Sequence, residues 1–239
     1  MLLVIEGPVG VGKSTIVKLL SKVLNDKGMP VAKTFLKTFH GPSFVIWFLA
    51  TKLIIGGQKM SKLRMLAPWY LLSKLNSVLA WRLTVLAALL DALLSIPLKL
   101  FQIQLLRQIG YIVICEEYLY GTLTDYMYTL INASNRKGKC LLRFTIAVSI
   151  AMLRKYRPSM TILLDADRVE IIKRWKKRGY GDPQKRYIKF QRIFFGMIKN
   201  RKLFTDLEMH HIYSIDTSGK NPLTNIREIL SLMNLARAV

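Results

Sequence analysis

With 239 residues the chain is long enough to bury one sizeable core, and a single α/β domain over residues 1–239 is expected. Its two cysteines, Cys115 and Cys140, are too few for a disulfide framework and neither has a partner at metal-ligand spacing, which excludes a readable zinc site and points to a reducing cytoplasm. The 37 Lys and Arg residues against 14 Asp and Glu leave a net charge of +23, so the surplus favours polyanionic partners: nucleotides, nucleic acid or anionic lipid headgroups.

In chain order, Leu2 to Glu6 is a short continuous apolar run, the pattern of a strand buried on both faces of a parallel sheet. It begins at the first residues without a basic n-region or a small-residue cleavage site, which predicts a protein that is not secreted. Directly after it, Gly7-Pro8-Val9-Gly10-Val11-Gly12-Lys13-Ser14 fits G-x-x-x-x-G-K-[ST]. Glycines let backbone N–H groups face phosphate oxygens, and the helix that follows adds partial positive charge at its N-terminus. Lys13 is placed for the β- and γ-oxygens, the Ser14 hydroxyl for Mg²⁺, and Thr15 for a hydroxyl near the α-phosphate. ATP and Mg²⁺ are therefore the expected ligands. Ser14 to Asn25 carries Ile16, Val17, Leu20 and Leu24 on one helical face and stops at Gly28.

Val31 to Leu36 reads as a second strand. An apolar helical insertion follows at about residues 44–106, in which Phe44 to Ile55 carries only Lys52 and Leu83 to Phe101 only Asp91 and Lys99. Leu83 to Phe101 approaches membrane-spanning length, although an aspartate near the middle of a span costs roughly 3 kcal/mol. The alternatives are a helical subdomain packed on the core, a homodimer surface, or association with an anionic membrane surface through flanking lysines and arginines. Tyr111 to Cys115, Thr161 to Leu164 and His211 to Ile215 supply three more strands, giving five separated by helical stretches. This alternation predicts a three-layer α/β fold with a five-stranded parallel sheet, helices on both faces, and ligands beyond the carboxyl ends of the strands. Glu6, Glu116, Asp165 and Asp216 fall at that edge.

Several segments together resemble, in order, the thymidylate kinase-like group of P-loop nucleoside monophosphate kinases. Glu6-Gly7 with the phosphate loop is similar to the group's opening strand and turn. Tyr111 to Tyr118 resembles the strand that ends in Asp-Arg-aromatic, Thr161 to Gly179 the strand, acidic turn and basic lid helix, and Tyr213 to Ser218 the last strand with the loop that passes the adenine. The resemblance implies ATP-dependent phosphoryl transfer to a nucleoside monophosphate, a basic lid at about 168–186 carrying Arg174 and Arg178, and Thr217 and Ser218 near the adenine.

Three departures concern the acceptor side. Glu116-Glu117-Tyr118 stands where the group has Asp-Arg-aromatic, the arginine-proline-glycine element after the second strand is replaced by Lys37-Thr38-Phe39, and the helix expected to bring an arginine reads Leu89-Leu90-Asp91-Ala92.

Phosphoryl transfer demands a phosphate cradle, Mg²⁺ and mobile cations rather than covalent chemistry. Glu116, at a strand end, is expected either in the Mg²⁺ sphere or orienting the acceptor as a base. Arg174 and Arg178, four apart, share a helix face. A second function follows if the acceptor side is lost: a P-loop NTPase or nucleotide-binding regulatory protein working with a membrane or partner. Residues 168–202 interleave 13 basic residues with aromatics, but the spacing of Ile188, Phe195 and Ile198 is that of a helix packed on the sheet, and nucleic acid is not the expected partner. His210 and His211 point to opposite faces of a strand and are structural.

Overall fold

The computed structural model describes residues 1–37, 41–55, 76–132, 138–177, 185–200, 203 and 211–237. Five parallel strands, β1 (Leu2–Glu6), β2 (Val31–Phe35), β3 (Ile112–Glu116), β4 (Met160–Asp165) and β5 (His211–Asp216), form one sheet in the order β2-β3-β1-β4-β5. The expected strands are all present, each within a residue or two of its predicted bounds. β1 lies at the centre, paired with β3 (Val4 with Cys115) and with β4 (Val4 with Thr161). The order jumps from β1 to both neighbours, and a ligand crevice opens at such a switch of strand order beyond the carboxyl ends.

Alternation along the strands divides the core into two halves, because successive side chains leave a strand on opposite faces. Leu3, Ile5, Ile114 and Ile162 pack with α1 (Lys13–Asp26) and α9 (Pro222–Arg237) on one face. On the other, Leu2, Val4, Val113 and Cys115 meet α5 (Leu119–Asn132), α6 (Lys139–Lys155) and the helices of the insertion. The uninterrupted apolar reading of β1 is thus the signature of a central strand covered twice.

Within the insertion, α2 (Pro42–Ile55) is followed by α3 (Ser77–Leu90), a π-helical turn (Asp91–Ser95) and α4 (Ile96–Gln108). The widened turn precedes Pro97, which has no N–H for the carbonyl four residues earlier and whose ring would crowd it, so the helix adapts by one looser turn. Asp91 is turned inward and is 1 % exposed. It accepts from Ser43 Oγ at 2.5 Å and from Tyr126 OH at 2.9 Å, which fastens the π-helical turn to α2 within the insertion and to α5 outside it. Residues 77–108 are the one span among the described residues long and apolar enough to cross a membrane, by length and composition only, and the side that carries Asp91 is built into the protein. The opposite side, with Leu93, Leu98 and Phe101, is exposed.

Two further helices, α7 (Arg168–Lys177) and α8 (Lys185–Lys199), follow β4. α7 coincides with the predicted lid helix, and α8 buries Ile188, Phe194, Phe195 and Ile198, the packing role its spacing predicts.

Candidate functional site

The phosphate loop occupies the turn between β1 and α1 at the centre of the sheet's carboxyl edge. Its backbone is held open at Gly7 (φ 141), Gly10 (φ 93) and Gly12 (φ 103), conformations that L side chains rarely adopt. Gly10 also packs against Ile171 of α7, where an added Cβ would sit 3.2 Å from the isoleucine methyl. Pro8 and Val11 are buried in the loop walls, Val9 is half-buried at its tip, and Ser14 and Thr15 open α1 on the solvent side.

Lys13 is 6 % exposed and uses all three ammonium protons within the protein. Nζ donates to Gly7 O at 2.8 Å and Pro8 O at 3.1 Å, and pairs with Glu117 Oε1 at 3.1 Å. The other oxygen of that carboxylate, Oε2, meets Lys37 Nζ at 3.4 Å. Two cations therefore converge on Glu117. Burial pushes its carboxyl upward, but Lys37 and Lys13 outweigh that and hold it down at about 2, so Glu117 is ionised at any working pH. Lys37 in turn is shifted upward by the Glu117 charge and stays charged.

Glu117 is also the one non-glycine residue with positive φ among those described (φ 59), a corner that costs roughly 1–2 kcal/mol. Three bonds pin it: Glu117 N donates to Ile5 O at 3.0 Å, and Glu117 O accepts from Leu36 N at 3.0 Å and from Cys115 Sγ at 3.2 Å. The strained corner aims the carboxylate at the phosphate-loop lysine.

Beside it, Ser14 Oγ donates to Glu116 Oε1 at 2.5 Å, which brings together the two residues predicted to serve Mg²⁺. The pair is an all-oxygen donor set suited to a hard cation that keeps several waters and phosphate oxygens of its own. No group of three or more His, Cys, Asp or Glu side chains that could hold a metal ion occurs among the described residues.

Glu6 closes the floor. It is fully buried; Oε1 accepts from Tyr118 N at 2.5 Å and Gly121 N at 3.1 Å, while Oε2 has no hydrogen-bond partner among the described residues. Desolvation, reinforced by the neighbouring Glu117 charge, raises its carboxyl to about 8, so it is largely neutral at pH 7. An acid whose folded pKa lies above its unfolded value binds its proton on folding, and stability then falls as pH rises between about 4.5 and 8. Replacing Glu6 by Gln keeps the acceptor for Tyr118 and Gly121 and removes the titration. Chemical denaturation from pH 5 to 8 is expected to show a flatter stability profile for the variant than for the parent. Glu117, with its depressed pKa, acts in a separate window below about pH 4.5, where its contribution is lost as it protonates.

The predicted lid residue Arg174 is already engaged. Its Nη1 donates to Val11 O at 3.0 Å and Thr217 Oγ1 at 3.2 Å, Nη2 to Thr217 O at 3.0 Å, and Nε to Glu170 Oε1 at 2.9 Å. Thr217, 3 % exposed, reaches Val11 O (3.0 Å) with its hydroxyl and Asp165 O (2.8 Å) with its amide. Ser218 Oγ accepts from Asp167 N at 2.7 Å. Arg174, Thr217 and Ser218 thus tie α7 and the loop after β5 to the outer wall of the phosphate loop. Arg178 lies outside the described residues.

A small pocket opens on the other side of Lys13, lined among others by Glu6, Lys37, Glu117, Asp125, Tyr187 and Gln191. Asp125, Tyr187 and Gln191 were not among the candidate site residues of the sequence, and Lys37 entered only in the segment that replaces arginine-proline-glycine. Lys37 had a signal, since it lies just past β2 at the same sheet edge as the phosphate loop. Gln191 had another, being a polar residue on the apolar stripe of α8. Asp125 and Tyr187 carried none, because the pocket forms only when α5 and α8 meet.

No protein-family model and no curated protein matches the chain. Among solved structures it is similar to the thymidylate kinase from Candida albicans, with a TM-score of 0.58 and 18 % identity over 98 % of this chain and 91 % of that one. At that identity the likeness establishes the fold: a P-loop α/β fold of the thymidylate kinase type.

Proposed function

We propose that this chain, folded as thymidylate kinase is, is a Mg·ATP-dependent phosphotransferase that passes the γ-phosphoryl group of ATP to a nucleoside monophosphate. The observation that carries the reading is the convergence of Lys13 and Lys37 on a single carboxylate where the phosphate loop meets the pocket. A carboxylate held by two lysines marks a place where negative charge is already received, and it lies beside the phosphate loop at a small pocket on the side where an acceptor would approach. Lys37, a cation on that side, weighs against a chain that has lost its acceptor side.

The backbone amides of the loop and the N-terminus of α1 would receive the ATP phosphates. Lys13 exchanges its bond to Glu117 for the β- and γ-oxygens, and Lys37 keeps Glu117 or turns to the incoming acceptor phosphate. An oxygen of that phosphate attacks the γ-phosphorus in line while the bond to the β,γ-bridging oxygen breaks, so ADP leaves with the electron pair. A phosphate dianion is its own nucleophile, so no base is required, and Glu116 is assigned to Mg²⁺ with Ser14. Bound there, Mg²⁺ supplies neutralisation of the developing charge on the β- and γ-oxygens. Arg174 and Thr217 hold the loop's outer wall, with Thr217 and Ser218 beside the base of ATP.

A coupled assay of ADP release with thymidylate and other nucleoside monophosphates tests the reading: release that depends on the acceptor supports it, and slow hydrolysis indifferent to acceptors contradicts it. Because Glu117 occupies the place of an anion, Glu117→Gln is expected to tighten Mg·ADP binding by about tenfold, worth about 1.4 kcal/mol. Titration calorimetry checks this, and weaker binding by the variant would show that Glu117 assists the nucleotide rather than competing with it.

A further inference from the structure

A chain of hydrogen bonds crosses from the acceptor-side pocket to the tip of the phosphate loop, and the transfer step as described makes no use of it. Gln191 sits on the face of α8 that buries Ile188, Phe194, Phe195 and Ile198, and is itself only 5 % exposed. A polar side chain there must satisfy both ends of its amide. Oε1 accepts from Val9 N at 3.0 Å, and Nε2 donates to Tyr187 OH at 2.8 Å. The Tyr187 hydroxyl donates in turn to Asp125 Oδ1.

The direction of every bond is fixed from both ends. A carboxylate only accepts, so Tyr187 must give its proton to Asp125, which leaves the phenol oxygen to accept from Gln191 Nε2. A backbone N–H only donates, so Val9 requires Gln191 Oε1. Burial and the adjacent Asp125 push the Tyr187 phenol well up, which keeps it a donor throughout the working pH range. Val9, Asp125, Tyr187 and Gln191 all line the same pocket, the first from the donor loop and the others from α5 and α8.

We propose that Gln191 is a positioning residue through which occupation of the acceptor pocket, sensed at Asp125 and Tyr187, sets the tip of the phosphate loop at Val9. The proposal rests on the phosphotransferase reading, with a hydroxyl of the acceptor reaching this small pocket at Asp125. A hydroxyl of the acceptor that donates to Asp125 takes the place of the Tyr187 proton. Tyr187 can then donate to Gln191, and the amide turns over: Oε1 faces Tyr187, Nε2 faces the loop, and the Val9 N–H is released towards phosphate. A ligand in one site thereby changes the donor set presented to the other, which is a coupling between two sites in the thermodynamic sense.

The test is the affinity of Mg·ADP for the full chain by titration calorimetry, alone and with each of thymidylate, deoxycytidylate, deoxyadenylate and deoxyguanylate at saturation. For the parent chain at least one acceptor is expected to shift the ADP dissociation constant by fivefold or more. Tyr187→Phe keeps the ring and breaks the chain at one oxygen; Gln191→Leu keeps the volume and breaks it at both amide ends. Each is expected to bring that shift to about onefold, and the double variant to add nothing further. In the steady state the same variants should raise KM for ATP with acceptor present more than they lower kcat, a split that a loss of folded protein would not produce.

Parent-like coupling in both variants, or losses that multiply in the double variant, overturns the relay and leaves the phosphotransferase reading standing. A parent chain whose ADP affinity no monophosphate alters overturns the relay as well. Failure of the parent to bind Mg·ADP at all overturns the reading beneath it, and the relay falls with it.

Discussion

Lys13→Ala is expected to lower kcat for acceptor-dependent ADP release by roughly a thousandfold, the scale of losing a fixed charge from a phosphoryl-transfer site. The effect is on the transition state, because Lys13 is anchored at the loop by Gly7 O and Pro8 O and has only its bond to Glu117 to exchange for the β- and γ-oxygens. The same substitution also disturbs the empty protein. It leaves Glu117 with Lys37 alone and two loop carbonyls without their donor, a cost of about 1–3 kcal/mol. Adding Glu117→Gln is expected to recover none of the lost turnover and little of the lost thermal stability, since the two loop carbonyls still lack their donor and Lys37 loses its ion pair with Glu117 as well. Turnover that survives Lys13→Ala would contradict the phosphate-loop mechanism itself.

Gly7→Ala is expected to cost roughly 3 kcal/mol or more of folding stability. A Cβ built on Gly7 falls 2.2 Å from Leu164 O, and that carbonyl belongs to β4, which is paired on both sides and cannot retreat without opening the sheet. The backbone at φ 141 adds strain of its own. For a domain of this length the melting midpoint should fall by about 6–12 °C. Gly28→Ala is the control: its φ is also positive (74), but nothing lies within 4 Å of the added methyl. It should show backbone strain alone, about 1–2 kcal/mol. Equal midpoints for the two variants, by thermal unfolding followed by circular dichroism, would show that the contact with Leu164 is relieved more easily than its backbone position allows.

The sheet was legible because its information is local. Leu2 to Glu6 is apolar at every position, as a doubly covered strand must be, and the glycine-rich turn after it has a sequence that serves little else. The joining of Ser14 to Glu116 was half-legible: both residues were expected at the sheet's carboxyl edge, but their contact spans 102 positions in the chain. Glu117 shows where local reading stops. In sequence it looks like a charge of the wrong sign beside the acceptor, whereas the fold brings Lys13 to it from the start of α1 and Lys37 from just past β2 and uses it as their shared partner. Asp91 is similar. Among leucines it reads as a flaw in an apolar helix, and only α2 and α5, which bring Ser43 and Tyr126, make it an internal fastening. Arg174 was placed correctly on its helix, but its bonds to Val11 and Thr217 depend on α7 and the loop after β5 meeting at the phosphate loop, which no periodicity announces.

Transfer of the terminal phosphoryl group is the central claim, and it is measured most directly by following label. With γ-labelled ATP, Mg²⁺ and a panel of nucleoside monophosphates, label is predicted to appear in a nucleoside diphosphate of the acceptor's base, and to be absent from that product with Lys13→Ala. Label that appears only as inorganic phosphate, at a rate no acceptor changes, would contradict the claim.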